Sequence, residues 1–524
     1  MADQIYANTK GQRLDQHLFA VGYLAYKIAK RLVPQDDNLA NAVFIAGCWH
    51  DIGKIDPAFQ DWLSKMPKKK FEDVPDDGQH IDKKTGKFSW QKYPRHNEIS
   101  LLLFHLLFEP QDINSDSHAR VKHAVYWHHA KPLRDNNNEI KRMIGIFNKL
   151  ENLEQNYSKL TAAVVAILKS IKDTADEYFD EMPIEINYLN VPKFDNVEDN
   201  LEEVRLPEYK RYSVKESVDK YINNIQHNAL NNIARSVLIT ADRLVSEKFT
   251  GDSLNEHINN QTLKDLLDEA FQKDRGLKQH IRQCLDGFNQ NNPDIDRNKQ
   301  QAIAAKDLSD EEVTIGVLKG PAGCGKTKIA LEWALNTEVK KMFWVCPRVQ
   351  ICEGLFKDLQ GKEYLPNAKL EICTGEIKQT LDSGKPVDTL EGSEFSGDIV
   401  ITTIDQIVNS ITTHRNVTTL VDFMNSHVVF DEYHEYINMP AFNLLFAELV
   451  ECKKYQQNDD KASPNTLLVS ATPNPLFIKD FLHLSERDII GIDSFNNSQY
   501  QIDFVEYDEK VEDSSNPLFQ QQPT

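Results

Sequence analysis

Histidines and aspartates recur through the first half of the chain at places where burial without a partner would be costly. His17 opens an apolar helical run in RLDQHLFAVG, His50 and Asp51 close another in NLANAVFIAGCWHD, and His96 stands in PRHNEIS. His128 and His129 follow in AVYWHHAK, and Asp242 interrupts the apolar stretch SVLITADRLV. Imidazole and carboxylate suit Mn, Fe, Co, Ni or Zn, and one aspartate can bridge two ions about 3.5–4 Å apart. Such a pair activates a water against a phosphodiester. Asp242 carries the physical case, because a buried carboxylate needs a cation or several donors. Singly, each position has a plainer reading: a helix-end histidine, a chance His–Asp pair, a solvated helix C-terminus at His128–His129. His80, His105, His118 and His123 are read as structural or surface histidines. His123 is the nearest rival, since it falls within about a turn and a half of His128 on the same predicted helix.

A second constellation sits in the other half. GPAGCGKT matches G-x-x-x-x-G-K-[ST] through Gly320, Gly325, Lys326 and Thr327, with Gly323 inside the loop. A predicted strand precedes it and a helix follows, the context in which backbone N–H groups wrap a phosphate. Lys326 would reach the β/γ-phosphates of ATP and Thr327 the Mg²⁺. Downstream, VVFDEYHEY puts Asp431, Glu432 and His434 at a strand end, where two carboxylates can hold Mg²⁺ and orient a water. Then LLVSATP supplies Ser470, Ala471 and Thr472.

The elements that must carry these residues are of two kinds. Up to about residue 250 the runs 17–32, 38–51, 97–108 and 231–249 have apolar residues at three-to-four spacing, the helical signal. Two polar stretches interrupt them: 64–94, read as a surface excursion, and the acidic 173–215, read as an irregular arm. From about residue 290, short β-type runs at 313–320, 342–347, 398–403, 427–432 and 466–472 alternate with helical stretches, which predicts a parallel α/β sheet. The expected division is 1–255 all-α, 256–295 a helical connector, 296–500 α/β, and 501–524 a polar tail.

Bulk properties narrow the class. The 524 residues are too many for one core, and 40% apolar with 27% charged content is globular. LLLFHLLF, the longest apolar block, is too short to span a bilayer, and the N-terminus lacks a signal-peptide layout, so the expected location is the cytoplasm. Seven cysteines without a C-x-x-C pair exclude a disulfide framework and a cysteine zinc site. The net charge of −20 is uneven: residues 1–150 carry +4 and the remainder −24. Charge alone gives no case for nucleic acid, and does not forbid a local basic channel.

The P-loop, D-E-x-H and S-A-T series resembles superfamily 2 helicases and translocases. That resemblance makes Gln300 or Gln301, with Arg297, the adenine reader in RNKQQAIAA. It makes Pro347, Arg348, Thr402 and Thr403 candidate strand-backbone contacts, although the threonines are equally at home in a β-strand. Ser470–Thr472 would couple nucleotide to strand. The order H…HD…H…HH…D resembles HD phosphohydrolases, most closely the two-metal nuclease domain. It implies one ion on His17, His50, Asp51 and Asp242 and a second on Asp51, His96, His128 and His129, with Lys54 at the scissile phosphate.

Together the halves resemble the CRISPR-associated helicase–nuclease of type I interference systems. The resemblance implies metal-dependent cleavage of single-stranded DNA, ATP-driven translocation, and recruitment by an RNA-guided surveillance complex. Asp51, Lys54 and Glu432 would be the catalytic groups. About 50 residues follow the S-A-T motif, without a Q-x-x-x-R-x-x-R series, so the second RecA-like domain is expected from a partner chain or a longer parent. Two other readings are an HD phosphohydrolase acting on nucleotides with a regulatory P-loop domain, and a non-catalytic truncated regulator.

Overall fold

The structure is a computed structural model. It describes residues 4–495 apart from 66–94, 110–112, 130–141, 151–152, 181–182, 187–188, 214–215, 272–273, 292–293, 388–393, 415, 440–441 and 457–464. The surface excursion, except its first two residues, and the polar tail therefore lie outside the described residues.

The first half is helical. Helix α1 spans Leu14–Leu32 and α2 Asp37–Trp49, the latter started by the Asp36 side chain accepting from Leu39 N. Their contact is unusually close: a Cβ on Gly47 would sit 2.4 Å from Gly22 Cα. Only glycine at both positions lets the two backbones touch, and that contact fixes the end of α2 against the middle of α1. Helix α3, His96–Leu107, and α4, Ser115–Trp127, follow, with Asn114 capping α4 through Ser117 N. Helix α5, Leu153–Tyr178, carries buried apolar residues at 160, 164, 167, 168, 171 and 175. That spacing continues past residue 173, so the acidic stretch begins inside a helix. Helix α6, Val218–Lys248, packs across α1, α2 and α4 and also onto the second half of the molecule.

The second half is an α/β domain on a nine-stranded sheet: β1 Gly316–Lys319, β2 Met342–Cys346, β3 Leu370–Cys373, β4 Lys378–Asp382, β5 Lys385–Val387, β6 Ile399–Thr403, β7 His427–Phe430, β8 Thr466–Ser470 and β9 Ile489–Gly491. The order is β5-β4-β3-β6-β2-β7-β8-β1-β9. All pairings are parallel except β3–β4 and β4–β5. The central strands are buried on both faces, which is why they read as unbroken apolar runs. Helices α7 Ile295–Asp307, α8 Lys326–Asn336, α9 Val349–Gln360, α10 Ile404–Thr412 and α11 Phe442–Gln456 flank it. The expected connector contains helix Leu277–Asn291, whose Leu277, Ile281, Cys284 and Leu285 are buried in the core of the α/β domain. The earlier part of the same stretch, with Leu263, Leu266 and Phe271 buried, packs on the helical half instead.

Candidate metal centre and nucleotide site

Helix ends bring the histidines and aspartates together. His50 caps α2 and Asp51 follows it; His96 starts α3; His128 caps α4 with His129 next; His17 lies in the first turn of α1 and Asp242 near the end of α6. They fall into two groups sharing Asp51: His17, His50, Asp51, Asp242, and Asp51, His96, His128, His129. Within each group one ligand atom per residue lies within 4.8 Å of every other. All except His129 are buried outright. These are the two sets that the resemblance implied, and His123 lies in neither, being packed edge-on against Tyr209.

Gly53 makes the second group possible. A Cβ there would meet His96 O at 2.2 Å, so the short turn Ile52–Ile55 lies directly on the start of α3. Hydrogen bonds then fix the rings. His17 Nδ1 is 2.8 Å from Gln12 Oε1, His50 Nδ1 2.8 Å from Gly47 O, and His128 Nδ1 2.6 Å from Val125 O. An acceptor on Nδ1 places the proton there and leaves Nε2 as the lone-pair donor facing the cluster. Nε2 of His17 and His50 and both ring nitrogens of His129 are buried without a hydrogen-bond partner. Orphaned imidazole nitrogens beside two buried carboxylates are the donor set of a divalent metal. The residues present fit such an ion.

Electrostatics point the same way. Burial opposes charge on Asp51, but Lys54 and His50 outweigh it and hold the carboxyl well below the usual range. Lys54 Nζ is 2.5 Å from Asp51 Oδ2. Asp242 is likewise held low against its burial, by His17 and His50. Burial, helped by the neighbouring His129, drives His128 down to about 3, so that ring is neutral and able to donate a lone pair. Burial also opposes charge on His50, yet Asp51 and Asp242 raise it.

Sequence reasoning passed over Gln12 and Asn97. Gln12 also donates to Val245 O and Phe249 O, tying His17 to the end of α6. Asn97 donates to Tyr126 O at 2.6 Å, tying α3 to α4 beside His128. Their signal was adjacency: one lies five residues before His17 and the other directly after His96.

In the α/β domain, Gly323 and Gly325 have φ of 80° and 86°, the left-handed region open to glycine, and the loop leads into α8. Lys326 Nζ is 2.7 Å from Glu432 Oε1 and 3.3 Å from Gly320 O. Glu432 itself has φ 44°, a strained conformation for a non-glycine residue. Burial, with Glu432 alongside, raises the Asp431 carboxyl above the usual range. The S-A-T stretch joins the two motifs: Ser470 Oγ lies 2.9 Å from His434 Nδ1, Ala471 N donates to Glu432, and Gly320 N donates to Ser470 O. Thr327 stands in the first turn of α8.

Of the adjacent glutamines, Gln301 is buried and donates to Cys324 O, whereas Gln300 is exposed. Arg297 reaches Gly323 O. Arg348 is exposed and paired with Glu435, and Pro347 is buried. Thr402 is fully buried with its hydroxyl on Cys373 O, and Thr403 is buried where it begins α10. The Thr402 hydroxyl is thus taken up by the sheet, while the Arg348 side chain lies at the surface.

Residues 12–248 match the family described as Cas3, HD domain, and residues 298–481 match the DEAD/DEAH box helicases. The chain thus carries a domain of the Cas3 HD family followed by a domain of the DEAD/DEAH box helicase family. These two matches fall on the helical and α/β halves just described. Solved structures of T. fusca Cas3 resemble it: the ATP complex at 16% identity and TM-score 0.47, covering 95% of this chain and 53% of that one. The AMPPNP complex matches at 15% and 0.47, covering 91% and 51%, and T. fusca Cas3 itself at 14% and 0.48, covering 96% and 54%. The chain thus spans about half the length of these solved chains. Comparison with curated proteins gave no significant match. Among the described residues no helix is long and apolar enough to cross a membrane.

Proposed function

We propose that this chain is a metal-dependent nuclease acting on single-stranded DNA, joined to an ATP-binding superfamily 2 helicase module, and that it works in CRISPR antiviral defence in the cytoplasm beside an RNA-guided surveillance complex. The observation that carries the reading is the pair of buried ligand sets sharing Asp51. His17, His50, Asp51 and Asp242 would hold one divalent ion, and Asp51, His96, His128 and His129 the other. Mn, Fe, Co or Ni there would activate a water and neutralise charge building on the phosphodiester. The chain's own residues do the rest. Gln12, Gly47 and Val125 keep the Nδ1 protons occupied, so three Nε2 atoms stay turned inward. Lys54, buried against Asp51, supplies an ammonium for the scissile phosphate.

In the helicase module, the Lys326–Glu432 contact is one that the β/γ-phosphates of ATP would replace. Gln301 and Arg297 already touch the loop from the adenine side, Asp431 and Glu432 would take Mg²⁺ and the water, and His434–Ser470 would relay the nucleotide state. Coupled translocation by two RecA-like domains is part of this proposal and concerns the whole protein.

The test is cleavage of single-stranded DNA across a series of Mn²⁺, Co²⁺, Ni²⁺ and Mg²⁺, with and without ATP. Cutting that needs a transition metal and is lost in Asp51→Ala is expected. An Asp51→Ala protein that still cuts would sink the metal assignment. Hydrolysis of mononucleotides without hydrolysis of DNA would move the site to the nucleotide phosphohydrolases.

A further inference from the structure

The C-terminal end of α4 carries His128 and His129, and every helix end leaves carbonyls that need donors. Here three are met by side chains. His128 Nδ1 takes Val125 O, Asn97 takes Tyr126 O at 2.6 Å, and Arg235 Nε takes Trp127 O at 2.9 Å. Arg235 is fully buried on α6. A guanidinium at this position also meets the negative end of the helix dipole. Its Nη2 reaches across to the α/β domain and donates to Thr413 O at 3.2 Å.

The same helix makes two more bonds to that segment. Ser236 Oγ donates to Val417 O at 2.7 Å, and Arg243 Nη2 to His414 O at 3.0 Å. His414 in turn sets its ring 6.1 Å from that of His129. Thr413 and His414 directly follow α10, the helix capped by Thr403. A stretch of the α/β domain therefore lies beside the second set of candidate ligands, at His129, and is held there by α6. Asp242 lies on α6 two turns beyond Arg235, so the helix serves the first set through its own side chain and the second through Arg235.

We propose that Arg235 is a positioning residue for the second ion alone, locking His128 and His129 between α6 and residues Thr413 and His414 of the helicase module. The inference rests on the two-ion reading above. The guanidinium is planar and offers several donors in fixed directions, so it can take carbonyls from two domains together; a lysine ammonium on its flexible stem cannot reproduce that span.

The experiment is Mn²⁺ titration calorimetry on the full chain, as wild type, Arg235→Met and Arg235→Lys, with thermal melting in EDTA and ATP binding as controls. Wild type is expected to bind two ions. Arg235→Met is expected to keep one at wild-type affinity and to weaken the other about tenfold or more, the usual effect of losing a group that orients a ligand. Its coupled two-Mn²⁺ electron paramagnetic resonance signal should fall while ATP binding is unchanged. Equal weakening of both ions would mark Arg235 as merely structural and overturn the inference, as would two ions at wild-type affinity. Should Arg235→Met fail to melt cooperatively, Arg235→Lys decides by the same criterion. A wild type that binds no Mn²⁺ defeats the two-ion reading itself, a result distinct from an unaltered Arg235 variant.

Discussion

His427, far from either site, shows how burial tunes a single residue. Its Nε2 lies 2.9 Å from the Thr337 hydroxyl and 3.1 Å from Thr337 O, and burial drives its pKa down to about 3. The ordinary value is 6.5, so the unfolded chain takes a proton that the folded chain refuses. Stability from this group is complete above pH 6.5 and is lost as pH falls toward 3, by about 2 kcal/mol at pH 5. Urea unfolding at pH 7.5 and pH 5 should show that loss, and His427→Gln should reduce it; an unchanged pH dependence in the variant would reject the assignment. At this scale the residues of the two candidate ligand sets were legible and His427 was not. His17, His50, Asp51, His96, His128, His129 and Asp242 show themselves by residue type and order. A structural histidine has no partner pattern along the chain, because its burial is decided by strands distant in sequence. Gln301 could be separated from Gln300 only by the face of α7 that meets the P-loop.

Elements whose apolar period was regular were readable within a few residues, as the central strands and helices α1 to α3 show. Those missed have a physical reason. Strand β5 is exposed along its length and β4 is half exposed, so KQTLD and KPV have no apolar run to announce them. Helix α5 was obscured at its end by Asp173, Asp176 and Glu177, although its buried residues keep the three-to-four spacing. Glycine matters most at this scale. Gly53 brings the turn after Asp51 onto the start of α3, with His96 O only 2.2 Å from where a Cβ would be. Backbone cannot yield as a flexible side chain can, so Gly53→Ala must push α3 away from Asp51. Weaker binding of the second Mn²⁺ is expected, with a melting temperature lower by several degrees and ATP binding retained. Unaltered Mn²⁺ binding would mean that α3 can move without disturbing His96.

For the whole molecule, the join between the halves was the least legible part, because it is made by polar residues that look solvated in sequence. Glu448 of α11 is fully buried in it. Its Oε1 accepts from Tyr212 at 2.5 Å and from Asn228 at 3.0 Å, and its Oε2 accepts from Asn232 at 3.0 Å. Three donors from the helical half thus converge on one carboxylate of the α/β half. A glutamine has the same shape but only one acceptor oxygen, and its NH₂ would face donors. Each buried donor left unmet costs about 1–3 kcal/mol. Arg235 and Ser236 bridge to the α/β half one turn beyond Asn232 on α6, so this helix is the common support of both halves. The wild-type chain should therefore unfold in one calorimetric transition. Glu448→Gln should split it in two or lower it by several degrees, and addition of Mn²⁺ should then raise only the helical half. If the wild type already melts in two independent steps and Mn²⁺ moves one of them, the halves are not mechanically joined, and the support assigned to α6 is lost.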